Sequence, residues 1–199
     1  TTLTPFSMFV KDDFVFASAS ADNRIGLCNI NGNDHFLCGH SSHVTAVSWS
    51  NDGVLLASAS EDKTVRIWED NRCNVVLRGH KTGVSCVKWV PHRESTVVSS
   101  SQDGAVFIWD GRMGQALNVI ERHTKDVISL SVSPCGKYVA SGSTDMMVDI
   151  SSVDTGERIA TLTGRSPIFE VQWDPIGRFL SICFDDSTVA IVQSALYLQ

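Results

Sequence analysis

Three times along this 199-residue chain a histidine, a serine and an aspartate recur at nearly fixed spacing. The first set is His40, Ser58 and Asp62, the second His80, Ser99 and Asp103, and the third His123, Ser141 and Asp145. These are the side chains of a hydrolase triad, in which an aspartate orients a histidine that takes the proton of a serine nucleophile. A triad is assembled once, beside an oxyanion hole and a substrate cleft. No Gly-x-Ser-x-Gly elbow is present to present the serine. Repetition therefore favours a polar device that each structural unit carries for its own stability. Trp68 and Trp109 close the first two sets, and Ser151 stands in that place in the third.

Other reactive groups give weaker signals. The six cysteines, Cys28, Cys38, Cys73, Cys86, Cys135 and Cys183, form no Cys-x-x-Cys pair and read as free thiols in a reducing compartment. His40 and His43 lie three apart without a third ligand nearby in sequence, so no metal site is expected. His35 and His92 fall in edge or turn contexts and should be solvated. No phosphate-binding glycine loop is present, so no cofactor is expected. Trp49, Trp89 and Trp173 share one register, with Phe9 and Val132 in the same slot. A recurring aromatic position is expected to be core rather than a stacking platform for bases.

The elements that must position these residues follow from the repeat. Gly39-His40 and Gly79-His80 are followed by Arg122-His123 and Gly164-Arg165, at intervals of 40 to 43 residues. Between these marks the text alternates apolar and polar residues over short β-branched runs, the pattern of half-buried strands. One unit reads Val44 to Trp49, a turn at Asn51-Asp52-Gly53, Val54 to Ser60, a turn at Glu61-Asp62-Lys63, Thr64 to Trp68, then Asn74 to Leu77. The same order predicts units over 3–38, 43–78, 83–121, 126–163 and 167–199. Leu3 to Phe9 opens the weak first copy, and Ser194 to Gln199 would be the outer strand of the last. Hydrophobic residues make up 43% and charged residues 19%, enough for a folded core. A net charge of −6 argues against a nucleic-acid partner, which needs a basic surface. No apolar run is long enough for a transmembrane helix.

With its Gly-His and Trp-Asp marks at this period, the chain resembles the WD-repeat β-propeller family. The resemblance implies an all-β fold of five four-stranded blades. Seven blades are the usual number, so it also implies part of a larger propeller, with a closed five-blade ring as the alternative. In that family His40, Ser58, Asp62 and Trp68, and likewise His80, Ser99, Asp103 and Trp109, would form buried hydrogen-bond chains. Binding would use loops on one propeller face. One set of positions precedes the turn aspartates: Ala21, Glu61, Gln102, Thr144 and Asp185. The other lies at the start of the inner strands, Thr45, Ser85, Ile128 and Phe169, with His43, Gly83, Asp126 and Pro167 two residues earlier. Pro5 and Leu3 would be their counterparts in the first copy. Ile128 and Phe169 form an apolar anchor, and Glu61, Asp126 and Asp185 surround it with acid, which suits a basic peptide or loop. Phe169 could instead tuck into a neighbouring blade. The expected function is a non-catalytic protein- or peptide-binding scaffold within an intracellular multiprotein complex, cytoplasmic or nuclear. A regulatory or ligand-sensing propeller of a larger protein, such as an apoptosome-type adaptor, is the alternative. A Ser-His-Asp hydrolase is a distant one.

Overall fold

A computed structural model describes residues 6–9, 15–29 and 34–194. These form nineteen strands in five antiparallel sheets, each running in chain order from its innermost strand outward. The first sheet is β1 (Phe6–Phe9), β2 (Val15–Ala19), β3 (Arg24–Asn29) and β4 (His35–Cys38). The second is β5 (Val44–Trp49), β6 (Leu56–Ser60), β7 (Thr64–Glu69) and β8 (Arg72–Arg78). The third is β9 (Val84–Trp89), β10 (Thr96–Ser101), β11 (Ala105–Asp110) and β12 (Gln115–Glu121). The fourth is β13 (Val127–Val132), β14 (Tyr138–Ser143), β15 (Met147–Ser152) and β16 (Arg158–Thr163). The fifth is β17 (Ile168–Trp173), β18 (Phe179–Phe184) and β19 (Val189–Gln193). Among the described residues no helix is long and apolar enough to cross a membrane.

Local chemistry fixes the hairpins. In the upper turns an aspartate carboxylate accepts the backbone N–H two residues on, from Asp22 to Arg24, Asp62 to Thr64, Asp103 to Ala105, Asp145 to Met147 and Asp186 to Thr188, at 3.0–3.1 Å. The residue between them, Asn23, Lys63, Gly104, Met146 or Ser187, takes a positive φ of 65–83°. This is an Asx-type turn, the local alternative to ladder pairing that aspartate provides. The lower turns end on Gly53, Gly136 and Gly177 at φ 68–72°, where a glycine is free of the Cβ penalty.

Each sheet has two apolar faces, so its core is shared with its neighbours. Ala17, Ala19, Ile25 and Leu27 of the first sheet pack on Val44, Val47, Leu56 and Trp68 of the second. Ala57, Ala59, Val65 and Ile67 on the other face of the second pack on Val84, Val87, Trp89 and Trp109 of the third. The third sheet meets the fourth through Val98, Val106 and Ile108 against Val127, Leu130 and Val139. The fourth meets the fifth through Ala140, Val148 and Ile150 against Ile168, Val171, Trp173 and Leu180. The inner strands β1, β5, β9, β13 and β17 are successive neighbours. Among the described residues no packed interface joins the fifth sheet back to the first, so the sheets form an arc rather than a closed ring.

Some boundaries differ from those expected. The second strand of the second unit starts at Leu56, because Val54 lies in the turn and is exposed. Its outer strand is longer than Asn74 to Leu77, since Arg72 and Cys73 already pair with Glu69 and Trp68. The fifth sheet has three strands among the described residues. The outer strand expected over 194–199, like the start of the strand expected from Leu3, lies outside the described residues apart from Ser194. Trp89 and Trp173 are buried and Trp49 packs partly buried against the second sheet's core, at the shared inter-sheet slot.

Candidate functional site

The repeated polar sets sit at the upper end of the second, third and fourth sheets. In the second, His40 Nδ1 lies 2.8 Å from Asp62, and His40 Nε2 lies 2.7 Å from Ser58 Oγ. Trp68 donates its indole N–H to the same Ser58 Oγ at 2.8 Å. Asp62 also accepts from Thr64 Oγ1, Thr64 N and Ser41 N. Burial alone would raise the Asp62 carboxyl, but these donors outweigh it and hold the group down at about 2. Burial pushes the His40 imidazole below its ordinary range, opposed by Asp62.

The third sheet departs from the expected chain. His80 and Trp109 both meet Ser99 Oγ at 2.8 Å, but His80 Nδ1 stands 3.8 Å from Asp103, beyond hydrogen-bond range. Here the Phe107 ring packs on the imidazole at 4.4 Å. Asp103 is held instead by Lys81 N and Ala105 N. Burial drives the His80 pKa down to about 4 against the pull of Asp103.

In the fourth sheet His123 bonds Asp145 at 3.0 Å and Ser141 at 2.8 Å, and a different group replaces the tryptophan. A Cβ on Gly79 would come within 3.0 Å of Trp109, and one on Gly39 within 3.1 Å of Trp68. The indole, with Arg66 at 2.8 Å from such a Cβ on Gly39 and Phe107 at 2.9 Å from one on Gly79, leaves a side chain at the glycine of the Gly-His pair little room. Where Ser151 stands for the tryptophan, Arg122 stands for the glycine. Its guanidinium donates to Ser151 Oγ and to Gly156 O at 2.8 Å and reaches Asp149 at 3.4 Å. Asp149 is buried and also accepts from Arg158 Nε at 2.7 Å. Sequence reasoning saw Arg122 and Ser151 as separate departures and missed this network. Its signal was their occurrence in the same unit.

Ser58 and Ser99 are fully buried, and each Oγ already accepts an indole N–H. A carbonyl carbon has no approach to either hydroxyl.

The face positions come together differently. The residue before each turn aspartate donates its backbone N–H to the carbonyl two residues upstream of the inner-strand position. Glu61 bonds His43, Gln102 bonds Gly83, Thr144 bonds Asp126 and Asp185 bonds Pro167, at 3.0–3.1 Å. The ladder then slips once in each inner strand. Val44 pairs with Ser60 and Ala46 with Ala59, leaving Thr45 as the extra residue. The same slip leaves Ser85, Ile128 and Phe169 unpaired in β9, β13 and β17. A β-bulge bends its strand and re-aims the extra side chain. All four bulged residues line one groove of about 560 Å³, together with Lys88, Glu170 and the flanking inner-strand residues. Phe169 is 66% exposed and does not tuck into a neighbour. Thr45 Oγ1 is spent on Val84 O, whereas Ser85 Oγ is buried without a hydrogen-bond partner. Glu61, Gln102, Asp126 and Asp185 are exposed around the mouth and Thr144 is half-buried. Ala21 is exposed at the corresponding turn of the first sheet. Leu3 and Pro5 lie outside the described residues. The bulges had a signal in the sequence. Apolar residues spaced three and then two apart, as in Val44, Val47 and Trp49, break the period of a strand by one residue.

Comparison with known proteins agrees with this geometry. The family model described as "WD domain, G-beta repeat" matches residues 33–69, 71–110 and 114–150. Each match begins at the outer part of one sheet and ends with the third strand of the next. The chain is 34% identical over 194 residues to the WD40 repeat-containing protein HOS15 of Arabidopsis thaliana, covering 92% of this chain and 32% of that protein. It is 39% identical over 195 residues to the human F-box-like/WD repeat-containing protein TBL1Y, covering 92% of this chain and 37% of the relative. Over 90 residues it is 32% identical to eukaryotic translation initiation factor 3 subunit I of Vanderwaltozyma polyspora, covering 45% of this chain and 26% of the relative. The chain therefore spans roughly a third of the length of the relatives it matches along most of its own. With three repeats matched in register with its sheets, the chain belongs to the WD40 repeat family.

Proposed function

We propose that this chain is a non-catalytic scaffold that binds a protein or peptide at the upper mouth of its inner-strand groove. The observation that carries the reading is the set of four bulges at Thr45, Ser85, Ile128 and Phe169. Rigid sheets hold these residues at one rim, where a large exposed aromatic is a hot-spot anchor rather than core. Glu61, Asp126 and Asp185 ring the anchor with carboxylates, which suits a segment bearing Lys or Arg. The buried polar sets serve stability, tying the loop before each inner strand to the second and third strands. The sealed Ser58 and Ser99 hydroxyls weigh against a hydrolase. The compartment that fits free cysteines and a complex-forming scaffold is cytoplasmic or nuclear.

A second reading has the same surface serve a larger multidomain machine as its regulatory module. The length of the relatives, one of them F-box-like by name, favours it.

Affinity capture with quantitative mass spectrometry tests the proposal. Wild-type chain is compared with Ile128→Asp and Phe169→Asp, and with Asp154→Ala on the opposite face as control. Partners lost by the first two and kept by the control support the reading. Retention by all three variants contradicts it.

A further inference from the structure

The loops that join the third and fourth strands are tied to the lower turns by their backbones. In the fourth sheet Val153 N bonds Lys137 O at 2.8 Å, and Gly156 N bonds Ser152 O at 2.9 Å. The third sheet repeats both bonds, from Gly111 N to Ser95 O and from Gly114 N to Asp110 O. The two loops therefore share one shape, and Gly111 stands where the fourth sheet has Val153.

Val153 is 2% exposed and joins the core that Val98, Val106 and Ile108 of the third sheet form. Two polar contacts seal it there. Asn118 Nδ2 donates to Asp154 O at 3.0 Å, and Arg93 pairs with the Asp154 carboxylate at 2.8 Å. Between the second and third sheets each of these parts is changed. Gly111 brings no side chain. Val75, opposite Ile67 as Asn118 is opposite Ile108, has no amide to donate. Arg112 stands for Asp154, and the lower turn of the second sheet carries Asp52 where that of the third carries Arg93. The Trp89 indole comes within 3.4 Å of a Cβ placed on Gly111, so it takes the inner part of Val153's place. The outer part stays open as a groove of about 400 Å³, lined by Val54, Leu55, Ile67 and Val75 and by the carboxylates of Asp52 and Glu69. Val54 is 45% exposed and Val75 is half-buried.

We propose that this lateral groove is a second docking site, which takes a branched aliphatic side chain of a partner protein with a lysine or arginine beside it. The aliphatic guest is read from the molecule itself, because the matching place one sheet on is filled by a valine. Covering Val54 and Val75 favours the same kind of guest here. Charge selects its neighbour. Arg112 also lines the groove but turns to Glu94, at 3.6 Å. Asp52 and Glu69 are bonded by the neutral side chains of Ser50 and Asn74, which leaves their charge to be met by a cation of the guest. Both walls belong to interior sheets of the arc. The site is apart from the inner-strand groove and does not depend on what binds there.

Methyl NMR tests the proposal. The chain, isotope-labelled at Val, Leu and Ile methyl groups, is titrated with the capped peptide acetyl-Gly-Val-Lys-Gly-amide, and with the same peptide bearing Glu for Lys or Gly for Val. The Val-Lys peptide is expected to shift the signals of Val54, Leu55, Ile67 and Val75 saturably, with a Kd on the order of 1 mM. The Glu peptide should bind about fivefold or more weakly, and the Gly peptide should give no saturable shift at these four residues. Val54→Lys should abolish the saturable shifts at Leu55, Ile67 and Val75 while the melting temperature stays within about a degree or two of wild type. If that variant does not fold, Val54→Ser takes its place. The double variant Asp52→Asn, Glu69→Gln should lose the preference for Lys over Glu. No saturable shift at the four residues, an equal response to the Gly peptide, wild-type binding by the Val54 variant, or an unchanged preference in the double variant overturns the proposal. Shifts confined to Val47, Val87, Leu130 and Val171 would put the peptide in the inner-strand groove; they overturn this proposal and leave the reading of that groove standing.

Discussion

Replacing Arg122 by glycine restores the residue that its counterparts Gly39 and Gly79 carry, and it should be harmful. In the second and third sheets that glycine makes room for an indole; in the fourth no indole follows. Arg122→Gly removes the guanidinium bonded to Ser151 and Gly156 and takes one cation from Asp149, whose side chain is 3% exposed. Breaking a buried ion pair from one side costs about 3–5 kcal/mol. Arg158, bonded to Asp149 at 2.7 Å but half-exposed, retains part of the compensation. The net loss expected is about 2–4 kcal/mol, the hole left behind included. Copying the third sheet's solution should reverse it. In the triple variant Arg122→Gly, Asp149→Phe, Ser151→Trp, the new indole bonds Ser141 as Trp109 bonds Ser99, and the phenyl ring stacks on it as Phe107 stacks on Trp109 at 4.8 Å. The triple variant should regain most of the loss. Urea unfolding at constant m-value measures both. An Arg122→Gly variant within 0.5 kcal/mol of wild type, to use about the scatter of neutral surface changes, would refute the reasoning. So would a triple variant no better than the single.

Gly79→Ala should destabilise by about 1–3 kcal/mol by overpacking, since its Cβ would press on the rings of Phe107 and Trp109 at 2.9–3.0 Å; thermal melting checks it. Trp109→Ala should cost about 3–5 kcal/mol through the cavity, and Ser99→Ala should leave no hydrolytic loss to detect in an esterase assay. Stability should fall with acid in two windows. His80, held at about 4 against an unfolded value near 6.5, is neutral in the fold, so its contribution is present above pH 6.5 and lost as pH falls towards 4. Asp62, held at about 2 against 3.8, adds a loss only below about pH 4. Urea midpoints from pH 7 to 3 should show the first loss diminished in a folded His80→Gln variant; an unchanged profile contradicts the assignment.

The sheets were legible because a half-buried strand imposes a period of two and an Asx turn demands an aspartate, and both recur every 40 to 43 residues. Strand ends were less legible where turn and strand share residue types, as at Val54 and Arg72. The face positions at Thr45, Ser85, Ile128 and Phe169 followed from register, but the bulge that re-aims them did not. Its mark is a one-residue slip that reads as noise in a single copy. The Arg122, Asp149, Ser151 network was illegible because its members lie up to 29 residues apart and meet only across strands. The 3.8 Å gap between Asp103 and His80, where the Phe107 ring packs on the imidazole, has no mark in the spacing.

Hydrogen–deuterium exchange of the chain with and without a captured partner tests the central claim most directly. The account predicts new protection at the amides around the four bulges and at the turns holding Glu61, Gln102, Thr144 and Asp185. Protection confined to the opposite turns, around Asn51, His92, Cys135 and Ile176, would contradict it.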